Sequence, residues 1–176
     1  MAEEATAENI QDQSHIDEVG DQYLTFKLAD EDYGIDILRV QEIRGWDEVT
    51  RLPNAPEYVR GVVNIRGTIV PVYDLRLKFS MPFKPYSPNT VVIVIRTHSR
   101  GVEKSVGVVV DAVADVLHGY LIDITQSPDF GSEAITEAIS GLATFEDKMV
   151  VLLDVDKLVQ EDQDDAENVV DEEDED

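Results

Sequence analysis

Gly61-Val62-Val63-Asn64-Ile65-Arg66-Gly67-Thr68-Ile69-Val70-Pro71-Val72-Tyr73-Asp74-Leu75 is the stretch on which the fold turns. Two β-rich runs, Val62 to Ile65 and Ile69 to Tyr73, flank the dipeptide Arg66-Gly67. A glycine at that place permits the positive φ of a tight hairpin turn. Pro71 has no N–H to donate to a ladder, which predicts an edge strand or a bulge. The pattern then returns 80 residues later, where Gly141-Leu142 continues through Met149-Val150-Val151-Leu152-Leu153-Asp154-Val155. Nearer the start, Tyr33-Gly34-Ile35 leads into Val40-x-Glu42-Ile43, and Val106-Gly107-Val108 leads into Val113-x-Asp115-Val116, at an offset of 73. An insertion of seven residues (80 − 73) reconciles the two offsets. Agreement at two separated places in one order identifies an internal duplication.

Working outward, Tyr23 to Leu28 is rich in β formers and Val91 to Ile95 is a continuous β-branched run, so both read as strands. The spacing also predicts a helix in the first repeat: Asp36 caps it, Ile37, Val40 and Ile43 share a face, and Gly45 ends it. A weaker helix is predicted within Asp111 to Leu117, with Val113 and Val116 on its apolar face. Pro82, Pro85 and Pro88 forbid a regular helix between Lys78 and Asn89, which reads as an extended connector. The expected fold is mainly β, two small five-stranded barrels with short helices, because closure hides strand edges. The expected boundaries are 23–77 for the first barrel, 78–89 for the connector and 90–158 for the second.

The chain of 176 residues carries 38 Asp or Glu against 14 Lys or Arg, a formal net charge of -24. Residues 1–22 hold seven of those acids and residues 160–176 hold eleven, with no Lys or Arg in either stretch. The remainder, 20 acids against 14 bases, is a mildly acidic body of net −6. Both tails are expected to be disordered, and the C-terminal one reads first as a solubility tail. So acidic a chain repels phosphate backbones and anionic lipid, which argues against nucleic-acid and membrane-surface partners. There is no cysteine, no apolar run of membrane-spanning length, and neither a basic region nor an apolar core of a signal peptide at Met-Ala-Glu-Glu. The reading is a cytoplasmic protein.

No phosphate-binding loop, GxGxxG fingerprint or HExxH helix occurs, so no cofactor, metal or catalytic residue is expected. His15, His98 and His118 are isolated and read as surface or loop histidines. Asp111 and Asp115 sit at i, i+4 spacing, where a solvated helix face explains them, although a carboxylate-rich cation-binding enzyme is the alternative of a different class. Two residues invite recognition roles instead. Phe130, in the turn Ser127-Pro128-Asp129-Phe130-Gly131, either pins its loop or projects as an anchor. Arg66 either is a solvated turn residue or pairs with Glu42 to fix the predicted helix against the hairpin.

The run Tyr33-Gly34-Ile35-Asp36-Ile37-Leu38-Arg39-Val40-Gln41-Glu42-Ile43-Arg44-Gly45 and the run Gly61 to Arg76 resemble the CheW-like family of bacterial chemotaxis coupling proteins. The likeness continues through Asn89 to Ile95 and Val106 to Val113, and covers Tyr23 to about Val159. The stretch from His98 to Ser105 is longer than the family pattern, and the acidic tails lie outside it. The resemblance implies paired SH3-like five-stranded barrels. It also implies a non-catalytic adaptor joining the regulatory domain of the histidine kinase CheA to the cytoplasmic tips of methyl-accepting chemotaxis receptors, and recruited to membrane arrays through them. A coupler for a second chemosensory pathway is the alternative within the family. Carried over by position, Val40, Glu42, Gly61 and Arg66 match places of kinase coupling and barrel integrity. Val91 and Val113 match the groove that receives the receptor tip, and Phe130 matches the second kinase interface.

Overall fold

The structure is a computed structural model that describes residues 22–119, 123–125 and 137–159. Strands cover most of them: β1 (Gln22–Leu28), β2 (Glu31–Asp36), β3 (Val40–Gly45), β4 (Val59–Ile65), β5 (Thr68–Asp74), β6 (Val91–Ser99), β7 (Val102–Val110), β8 (Ala112–His118), β9 (Asp123–Thr125), β10 (Ile139–Phe145) and β11 (Lys148–Leu153). They form two sheets, ordered β8-β1-β2-β11-β10-β9 and β3-β6-β7-β5-β4. The three-residue β9 aside, these are one order. Replacing β1, β2, β8, β10 and β11 by β6, β7, β3, β4 and β5 turns the first sheet into the second. Each sheet coils into an SH3-like barrel, and the duplication read from the sequence is present strand for strand.

The barrels do not, however, follow the contiguous stretches 23–77 and 90–158. Hairpin β1-β2 from the first half lies in the sheet of β8, β10 and β11, and hairpin β6-β7 from the second half lies in the sheet of β3, β4 and β5. The pairing is specific: Gly34 lies opposite Leu152 in the parallel β2-β11 ladder, and Gly107 lies opposite Val72 in the parallel β7-β5 ladder. Hairpin β6-β7 is apolar on both faces and must be covered on both, whereas β1-β2 buries one apolar face and carries Thr25, Lys27, Asp32 and Asp36 on the other. In β6, Ile93 and Ile95 enter a central core shared by the two sheets, while Val92 and Val94 enter the interior of the five-stranded barrel. In β7, Val106, Val108 and Val110 point to the central core and Val109 to the barrel interior. Leu24, Phe26 and Leu28 of β1 repeat the arrangement from the other sheet.

The repeated glycines mark where this packing is tightest. A Cβ on Gly107 would stand 2.9 Å from Val92 Cγ1, and one on Gly34 would stand 3.0 Å from Leu152 Cδ2. A side chain at either place would displace the barrel interior, so the two glycines have one cause.

Both predicted helices are strands. Ile37–Arg39 forms one 3₁₀ turn, capped as expected by Asp36 Oδ1 accepting from Leu38 N at 2.9 Å, and the chain then enters β3. Ala112–His118 is β8, paired with β1. A register shift between Val40 and Glu42 of β3, and another in β8 where Val113 to Val116 faces only Phe26 to Leu24 of β1, interrupt the two-residue alternation. A bulge moves the apolar positions out of phase, so the spacing imitates a helix. Of the two expectations for Pro71, the edge is not met, since β5 lies between β7 and β4, whereas the β4-β5 ladder does carry a bulge beside it, on the β4 side between Val59 and Gly61 opposite Tyr73 and Val72. The β7 ladder begins only at Val72, one residue past the proline, so the missing N–H costs no bond to β7.

Two ion pairs fasten the exchanged hairpins. Arg76 donates twice to Asp111, Nε to Oδ1 at 2.8 Å and Nη2 to Oδ2 at 2.6 Å, and Asp111 Oδ2 also accepts from Ala29 N in the β1-β2 turn. At the matching place in the other half the signs are reversed. Arg39 donates to both oxygens of Asp156, whose Oδ1 accepts from His98 N of β6 at 2.7 Å. Asp111 is therefore no solvated helix face, and Asp115 N donates to Thr25 Oγ1 across strands β8 and β1. His98 lies in β6 and His118 closes β8.

Candidate functional site

The five-stranded barrel has β3 and β4 as its two edges, and they face each other across a seam. One end of the seam is closed by a bridge, Thr50 N to Val62 O at 3.0 Å and Val62 N to Thr50 O at 2.8 Å. Gly61 makes that bridge possible. Its φ is +149°, and a Cβ there would lie 2.3 Å from Thr50 O. No other residue allows so close an approach of two backbones.

The other end is closed by charge. Arg66 Nη2 lies 3.3 Å from Glu42 Oε2, and Arg44 Nε lies 3.5 Å from Glu42 Oε1. The pair anticipated from the sequence is present, although it joins strand β3, not a helix, to the β4-β5 turn. Arg66 has φ +52° and Gly67 φ +86°, a two-residue hairpin turn with both residues left-handed, and Asn64 Oδ1 accepts from Gly67 N. Arg66 is 79% exposed and Glu42 only 20%, so the carboxylate is set into the barrel rim while the guanidinium projects. Glu42 Oε2 is buried and makes no hydrogen bond among the described residues, because Arg66 lies off the line such a bond needs. An acceptor so placed favours a donor approaching from outside.

Between the two closures the seam opens into a cavity of about 230 Å³. Val70, Val72, Val92 and Val94 form its floor, and Arg44, Asp47, Glu48 and Asn64 lie among its polar lining. Beside it, the Trp46 ring packs 4.1 Å from Tyr86, and Arg60 stacks over Tyr86 and Phe83. Tyr86 donates its hydroxyl to Asp74 Oδ2 at 2.7 Å. Burial first, and then that hydrogen bond, push its phenol well above the usual tyrosine range. The proline-rich connector is thereby held to the barrel. Sequence reasoning missed this aromatic cluster, for which Trp46 followed by three interleaved prolines and aromatics was the available signal.

Val40, Val91 and Val113 lie elsewhere. All three are half-buried against the central core between the sheets. Val40 and Val113 are repeat mates, 73 residues apart, in β3 and β8. The structure thus brings Glu42, Arg66 and Gly61 to one seam and sets Val91 and Val113, together with Val40, around the edge of the shared core. Phe130 lies outside the described residues. No group of three or more His, Cys, Asp or Glu placed to hold a metal ion occurs among the described residues, and no helix there is long and apolar enough to cross a membrane.

Comparison with known proteins accords with this geometry. The model of the CheW-like domain family matches residues 22–163. The chain is 47% identical over 141 residues to the chemotaxis protein CheW of Klebsiella aerogenes, covering 80% of this chain and 82% of that one. It is 33% identical over 144 residues to the chemotaxis protein CheW of Rhizobium meliloti, covering 82% and 90%. Among solved structures it is similar to the scaffolding protein TtCheW of Thermoanaerobacter tengcongensis, with a TM-score of 0.68 and 30% identity over 78% of this chain and 90% of that one. Extent of match and strand order agree, and the chain belongs to the CheW-like family, the non-catalytic coupling scaffolds of chemotaxis.

Proposed function

We propose that this protein couples the regulatory domain of a chemotaxis histidine kinase to the cytoplasmic tips of methyl-accepting receptors, binding both and catalysing nothing. The observation that carries this reading is the segregation of two surfaces on one molecule. Glu42, Gly61 and Arg66 gather at the seam of the five-stranded barrel, a surface suited to a kinase domain. Val91 and Val113 sit at the edge of the central core, an apolar margin suited to a receptor helix. Val40, assigned with the kinase positions, acts through the packing of β3 onto that core. Phe130 would supply the second kinase contact, and the complex would gather at the membrane through its partners. Each contact can be weak, because an array makes many of them at once.

Reconstitution with kinase and receptor fragments tests it. Arg66→Glu places a second carboxylate beside Glu42 and should lower kinase activation about ten-fold while leaving receptor binding intact, since like charges repel across a half-buried rim. Val113→Asp should do the reverse and weaken receptor binding first. Wild-type protein that binds neither fragment would overturn the function. Two variants with the same profile would overturn the separation of surfaces.

A further inference from the structure

We propose that the acidic C-terminal segment, residues 160–176, docks intramolecularly on the cationic arm formed by the distal halves of β6 and β7. The segment carries eleven carboxylates and no Lys or Arg. The arm, from Arg96 to Lys104, carries Arg96, Arg100 and Lys104 against one acid, Glu103, a net of +2 (3 − 1) with His98 neutral in a body of net −6. Arg96, His98, Arg100 and Lys104 are all exposed.

The launch point of the segment is already on the arm. The helical turn 155–159 places Val155, Leu158 and Val159 in the central core, and from it Asp156 accepts the backbone N–H of His98 and clasps Arg39. Arg39 Nη1 in turn donates to the Arg96 carbonyl. Lys104 is the register partner of Thr97 and shares a side of β7 with Val106 and Val108, the side that faces this same core. The first five acids of the segment, Glu161, Asp162, Asp164, Asp165 and Glu167, fall within eight residues of Val159. At roughly 3.3 Å per extended residue they lie within about 25 Å of it, and a tethered anion is held there at high effective concentration.

In the other cationic stretch, Arg44 to Lys84, five of seven cations are engaged, Arg51 and Lys84 being in no ion pair among the described residues. Arg44 and Arg66 face Glu42, Arg76 is clasped by Asp111, Arg60 stacks on Phe83 and Tyr86, and Lys78 lies over Tyr58 and Tyr73. On the arm, Arg96 meets Glu103 only at 4.0 Å with both side chains more than half exposed, and no ion pair engages the Lys104 ammonium among the described residues. The arm is the nearer surface, because the chain leaves the core at Val159 beside the Asp156–His98 contact. When docked, the segment cancels its charge, so a partner with acidic groups has to displace the segment before reaching β6-β7.

Carbodiimide crosslinking of the full chain, mapped by mass spectrometry, tests this directly. At about 20 mM salt, Lys104 should link to acids within 160–176 at about five-fold higher yield than Lys27, Lys78, Lys84 or Lys148, and at about 0.5 M salt the preference should vanish by screening. A second measurement compares amide shifts of the full chain with those of a chain ending at Val159, where changes should concentrate between Arg96 and Lys104 and be largely reproduced by Arg96→Glu with Lys104→Glu. Equal yields at all lysines, links formed only between isotopically distinguished copies, or shift changes centred outside the arm would each overturn the proposal.

Discussion

Asp111 shows how one side chain can hold two halves of a chain together. Burial by itself would raise its carboxyl pKa, but the Arg76 hydrogen bonds, the Ala29 N–H and the Arg76 charge outweigh that and hold it below the usual carboxylate value. A depressed folded pKa means that the stabilisation is present above the unfolded value of about 3.9 and is lost as pH falls through the folded value. Asp111→Asn should therefore lower stability at neutral pH by about 2 kcal/mol, since it leaves Arg76 largely buried without its counterion. It should also flatten the acid limb of the stability curve. Urea unfolding at a series of pH values measures both, and a variant parallel to wild type down to pH about 3 would remove Asp111 from the account.

At the scale of elements, the seam between β3 and β4 depends on a glycine more than on its ion pair. Gly61→Ala puts a Cβ against the Thr50 carbonyl and should cost about 2–4 kcal/mol, either by parting the bridge or by straining it. Trp46 is the one tryptophan of the chain and begins the segment that ends at Thr50, so its emission should shift in the variant well below the unfolding transition. Unchanged emission with unchanged stability would sink this account. The same region shows what the sequence carried and what it did not. The hairpin turn at Arg66-Gly67 and the Glu42 pairing were legible because each rests on local chemistry. The strand character of β3 was not, because the bulge at Gln41 puts Val40 and Ile43 three apart as a helix would. The cavity and the Gly61 contact were hidden for another reason, since both arise from backbone approach between distant residues.

At the scale of the molecule, the repeat offsets of 73 and 80 were readable, whereas the exchange of hairpins was not. Periodicity says which residues are equivalent but not which copy supplies the neighbour. Neither contiguous half contains a complete sheet, so neither should fold alone. Fragments 22–84 and 85–159 are each expected to lack dispersed amide resonances, and mixing them should restore the spectrum of the intact chain. A dispersed spectrum from either fragment alone would show that its strands can close without the exchange.

The exchange also sets an order in time. Hairpin β1-β2 is among the first parts of the fold to leave the ribosome, yet its neighbours β8 and β11 are among the last. At roughly 5–20 residues per second, the 125 residues from Leu28 to Leu153 take about 6 to 25 seconds to synthesise. For that interval the apolar face of this hairpin, Leu24, Phe26, Leu28, Tyr33 and Ile35, waits without all its partners, so the growing chain is exposed to aggregation until its last strand emerges. Nascent-chain protection should therefore limit the yield of this protein more than the stability of the finished fold does.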